Sequence, residues 1–108
     1  MSRWLYHLAY AHEAERRPYL PDAFERDGFV HASYAPDVLE SHRTYFNASD
    51  DVRVLCIDPR VLTSEVQVVE TPRGRMPHIH GAVNAEAIVR VVLVRAVDAP
   101  LPDLLDRR

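Results

Sequence analysis

One hundred and eight residues, 47% of them apolar and 27% charged, suit one folded domain and exclude a disordered chain. A lone cysteine, Cys56, excludes a disulfide scaffold, and three glycines are too few for a Walker loop or a dinucleotide fingerprint. The formal charge of −3 disfavours broad capture of nucleic acid, no apolar run reaches the roughly 18 residues of a membrane span, and no signal-peptide core follows Met1.

The expectation is therefore a cytoplasmic protein of one domain over 1–108, with a core at about 3–97 and a tail at 98–108. Arg3 to Ala9 reads as a first strand, being aromatic and apolar in the way a half-buried pleat requires. Ala11 to Arg17 suits a short helix stopped by Pro18, and Pro18 to Pro21 an extended link. Asp27-Gly28 marks a turn, after which Phe29 to Ala32 resumes as strand. A helix is predicted from about Pro36 to Phe46, with Pro36 at its first turn and Val38, Leu39, His42, Tyr45 and Phe46 along one face. Val52 to Ile57 and Val66 to Val69 read as strands, Thr71 to Pro77 as a loop, and His78 to His80 as a short extended stretch. Ile88 to Val97 is the longest β-branched run, and Val89 to Val97 is expected in a central strand. Short strands outnumber helices and lack a helix between each pair, so the predicted class is α+β with a small, mostly antiparallel sheet.

All thirteen basic residues are arginine. Schiff-base and phosphate-loop lysines are thereby excluded. Six histidines are the main chemical lead. His7, His31, His78 and His80 fall on extended apolar segments, where imidazole serves as acid–base group, hydrogen-bond partner or ligand. His12 reads as surface and His42 as packing. His78-x-His80 sets two rings on one strand face, which suggests a metal site of cupin type, but Glu86 stands one residue too far and a third ligand is missing, so no metal is expected. Cys56 reads as an inert core thiol. Glu13, Glu15, Glu25, Glu40 and Glu65 read as solvated surface, leaving Glu70 and Glu86 as candidate site carboxylates.

The ordered segments YHLA, GFVHASY, VRVLCIDP and PHIHGAVNAEAIV resemble a small bacterial family of unknown function, domain number 952, from about Trp4 to Leu93. His80 stands where that family usually carries tyrosine. The resemblance implies a fold similar to ADP-ribosyltransferases, a split pair of antiparallel sheets with a cleft between them. It also implies a role for His7 in holding a ribose of NAD, and matches His31-x-Ser33 to the histidine-x-serine segment of NAD-dependent RNA 2′-phosphotransferases. The late strand, where that superfamily often has a catalytic glutamate, offers histidines here.

The leading expectation is a histidine-lined cleft that binds NAD or a related nucleotide and transfers ADP-ribose, with NAD the candidate cofactor. His7, His31 and His80 are the candidate catalytic residues. Ser33, Arg73, Arg75 and His78 are the candidate ligand-binding residues, the arginines meeting phosphate as planar forks. The alternatives are a non-catalytic module for a small ligand, a histidine metal site, and an interaction protein with structural histidines.

Overall fold

The computed structural model describes residues 4–94. Six strands form two three-stranded sheets: β1 (Leu5–Tyr10), β3 (Val52–Ile57) and β6 (Ile88–Leu93) in the order β1-β3-β6, and β2 (Val30–His31), β4 (Glu65–Thr71) and β5 (Gly74–His80) in the order β2-β5-β4. Every pairing among these strands is antiparallel. The main helix, α2 (Val38–Tyr45), follows a 3-10 turn at Ala35–Asp37, and the one-turn helix α1 (Phe24–Asp27) precedes β2. The class is α+β, as the strand count predicts.

Strands β1 and β3 of the first sheet are buried on both faces, and their alternation divides the side chains between two cores. Leu5, Ala9, Leu55 and Ile57 face Val30 and Ile79 of the second sheet, while Tyr6, Val54 and Cys56 face Val38 and Ala35 at the start of α2. Burial pushes the Cys56 thiol up to about 11, which fits an inert core residue.

Four sequence expectations are corrected. The β-branched run from Ile88 lies on the sheet edge, and β3 is the central strand. Val89, Val91 and Leu93 remain exposed, whereas β3 is buried almost throughout, because β propensity registers the pleat and not a strand's place in the sheet. The run beyond Val94 lies outside the described residues. The expected loop from Thr71 to Pro77 is a tight hairpin, since Glu70 pairs with Arg75 and Thr71 with Gly74. Thr71 closes it by donating to the Gly74 carbonyl at 2.7 Å, and Gly74 takes the positive φ of 102° that the turn requires. Ala11 to Arg17 makes successive turns, not a helix, because Pro18 leaves too few residues to repay nucleation. Finally, the buried side of α2 runs through Val38 and Ser41, while Tyr45 is 61% exposed.

Gly81 ends β5 with φ 150°, and a methyl group there would lie 2.5 Å from the Ser64 hydroxyl, which donates to the Ala82 carbonyl. Gly81→Ala should therefore destabilise the fold by about 1–3 kcal/mol through backbone strain and overpacking. Urea unfolding measures this, and an unchanged midpoint would contradict it.

Candidate functional site

The two sheets meet edge to edge and then part. Strand β1 touches the segment after β2 through a bridge at Tyr6 and Ser33, whose backbone amides and carbonyls exchange hydrogen bonds at 2.7 and 2.9 Å. Beyond it the ladder stops, and a cleft of about 720 Å³ opens along β1, α1, α2 and the β4–β5 hairpin. His7, His31, Ser33, Arg73 and His78 all line it.

His7 fills the place where the ladder would continue. Its Nδ1–H donates to the His31 carbonyl at 2.5 Å, which fixes the tautomer, since a carbonyl only accepts. Nε2 then accepts from the Tyr19 hydroxyl at 2.6 Å. Both ring nitrogens are engaged within the protein, and the side chain is buried, so desolvation lowers its pKa from 6.5 to about 4. Burial also raises the Tyr19 pKa, with Glu13 adding a smaller push. The pair is neutral at pH 7.

His31 has a different setting. It is exposed, and its Nε2 lies 3.0 Å from Oδ2 of Asp27, while Nδ1 makes no hydrogen bond among the described residues. Arg26, bonded to the same carboxylate, holds Asp27 down at about 2, with His31 contributing. His78 pairs with His31 in the β2–β5 register and stacks on Phe29 at 3.8 Å between ring centres. Desolvation lowers its pKa, and the neighbouring His31 and His80 add to the shift.

Arg73, at the hairpin tip, reaches the Ser41 hydroxyl at 2.9 Å and lies 5.5 Å from the Tyr45 ring centre. Ser41 in turn shares a hydrogen bond with Ser33, so that serine joins the arginine and not His31. Arg73 has no carboxylate partner among the described residues, and its Nε is buried without a hydrogen bond.

Two expected site residues stand elsewhere. Arg75 points away from the cleft to Glu70 at 3.4 Å, because along β5 it alternates with Met76 and His78, which line the cleft, whereas Arg73 sits in the turn. His80 is outside the cleft lining, with Nε2 3.0 Å from the Gln67 side chain. Glu70 and Glu86 are exposed and line no part of the cleft.

Sequence reasoning missed Asp27 and Ser41, which hold His31 and Arg73, and also Tyr19 and Glu13. Glu13 is 5% exposed and lines the cleft, against the expectation of a solvated surface. The turn after β1 folds it inward to accept the Asp22 amide at 3.2 Å, a contact no local pattern encodes. Among the described residues, the one group of three candidate metal ligands with mutually close atoms is His12, Glu13 and Asp22, where Arg16 already lies 2.9 Å from Asp22 and 3.8 Å from Glu13. No described helix is long and apolar enough to cross a membrane.

The pKa shift of His7 predicts a measurable pH dependence. Folded His7 protonates near pH 4 and unfolded His7 near 6.5, so in this interval the unfolded chain holds more protons. The His7 contribution to stability is thus present above pH 6.5 and falls by about 3 kcal/mol as the pH drops to 4. The imidazole carbon shifts should titrate near pH 4 in the folded protein, and a midpoint above 6 would contradict this assignment. Tyr19→Phe, which leaves Nε2 without its donor, should cost about 1–3 kcal/mol by chemical denaturation.

Two crystal structures of protein CC0527 from Caulobacter crescentus, one of them a double mutant, share the fold with TM-scores of 0.73. They are 18% and 19% identical to this chain, with 96% of each chain covered. No curated protein matches the chain. The family model described as protein of unknown function (DUF952) matches residues 7–91, and the chain belongs to that family.

Proposed function

We propose that the cleft binds a small anionic ligand carrying a flat ring, of the nucleotide class, with ADP-ribose and NAD the first candidates. One observation carries this reading: the Arg73 guanidinium on the cleft wall has no carboxylate partner among the described residues. Its Nη1 makes no hydrogen bond among the described residues and is not sealed off, so a phosphate oxygen can accept from it while Nη2 stays on Ser41. Arg26, on the same cleft, is already committed to Asp27 and offers no such opening. Flat surfaces for a ring lie close by, in Tyr45 beside Arg73 and in the Phe29–His78 stack.

ADP-ribosyl transfer is the second reading, favoured by the Asp27–His31 pair. A carboxylate that orients one imidazole nitrogen and leaves the other without a partner is the arrangement a general base needs. In that reading the bond from ribose to nicotinamide breaks, a new bond forms to the acceptor, and His31 takes the acceptor's proton. His7 would act only by position, since both its nitrogens are already bonded.

Isothermal titration with ADP-ribose and NAD tests the binding. Arg73→Ala should weaken the complex by about 10- to 100-fold with little change in melting temperature, the loss expected for a charged hydrogen bond. If neither compound binds the wild type at millimolar concentration, the reading fails. Release of nicotinamide from labelled NAD, abolished in His31→Ala, would support transfer over binding alone.

A further inference from the structure

We infer that Glu13 forms a second subsite in the same cleft, which accepts hydrogen bonds from hydroxyl groups of the ligand. The inference rests on the nucleotide reading above and deepens it: the ligand needs an anionic group for Arg73 and a hydroxyl-bearing ring, such as a ribose, for Glu13.

The argument begins with an incompletely satisfied carboxylate. Glu13 is nearly buried, yet its hydrogen bonding is confined to Oε2, which accepts the Asp22 amide at 3.2 Å. The basic side chains beside it stand at the far limit of an ion pair, Arg16 at 3.8 Å and His12 at 3.9 Å, both to that same oxygen, and the Asp22 carboxylate lies within 4.8 Å. Arg16 is drawn instead to Asp22, at 2.9 Å, and to the Leu20 carbonyl. Oε1 makes no hydrogen bond among the described residues and is not among the sealed polar atoms that lack one, and Glu13 lines the cleft. An ionised carboxylate can accept about four hydrogen bonds, and one removed from bulk water without them is costly.

The surroundings select the kind of donor. A metal ion would have to compete with the guanidinium of Arg16, already seated beside Asp22. A second anion would be repelled. A neutral hydroxyl brings a proton without charge, and the apolar Pro21 and Ala23 of the same cleft lining suit a ring's carbon face. Arg73 is held from the hairpin and α2, and Glu13 from the turn after β1, so separate elements carry the two subsites.

The test compares ADP-ribose with inorganic pyrophosphate, which has the anion and no hydroxyl-bearing ring. Each is titrated into the wild type, Glu13→Gln and Arg73→Ala. Glu13→Gln keeps the shape and an acceptor for Asp22, and its melting temperature reports whether the fold survives. The expected result is a loss of about tenfold for ADP-ribose in Glu13→Gln, from the weaker neutral acceptor, with pyrophosphate affinity unchanged. Arg73→Ala should weaken both. Unchanged ADP-ribose affinity in Glu13→Gln overturns the subsite while leaving the nucleotide reading intact, as does an equal loss for both ligands. Absence of binding by either ligand to the wild type overturns both.

Discussion

The Tyr6–Ser33 bridge is the contact on which the cleft depends. It is the place where the edges of the two sheets exchange backbone hydrogen bonds, and the next pairing does not form. Had the ladder continued, β1 and β2 would have closed into one sheet and left no opening. Instead the His7 imidazole takes the His31 carbonyl as its acceptor, so the buried backbone group remains satisfied while the strands part. A hydrophobic side chain at position 7 could fill the volume but would leave that carbonyl without its donor.

This arrangement explains why the histidines separate into two chemical kinds. His7 is kept neutral by burial and by two hydrogen bonds, which suits a fixed structural strut. His31, one strand edge away, is exposed and oriented by a carboxylate whose charge Arg26 secures. Residues of one type, both facing one cleft, thus differ in their capacity to exchange protons with a ligand. The difference comes from solvent access and from which nitrogen is already bonded.

Much of the strand pattern was legible in the sequence, because alternation is a local property. Val52 to Ile57 coincides with β3, and Pro36 marks the entry to the main helix within the uncertainty of helix ends. The histidines on extended segments likewise pointed to one region, and His7, His31 and His78 do share it. The rest depends on tertiary pairing. Two residues between Thr71 and Gly74 read as loop until β4 and β5 pair, and only that pairing sends Arg73 inward and Arg75 outward. Glu13 has polar neighbours in sequence and no helical or strand period, so its burial follows from the path of the chain through Tyr19 to Asp22. His80 shares a strand face with His78, yet the cleft ends before it, which spacing alone does not reveal.

The cleft contains two polar groups that folding leaves partly unsatisfied among the described residues, the Arg73 guanidinium, which has no carboxylate partner, and one oxygen of Glu13. A domain of this size has a stability margin of only about 5–15 kcal/mol, and an unmet buried donor or acceptor costs about 1–3 kcal/mol of it. Pairing the two with each other would remove both penalties, but the fold anchors them on separate elements, Arg73 to Ser41 and Glu13 to the Asp22 amide. Opposite charges held apart in this way are complementary to a ligand that is anionic at one end and donates hydrogen bonds at the other. Such a ligand would stabilise the folded state by mass action, because it satisfies groups the protein alone cannot.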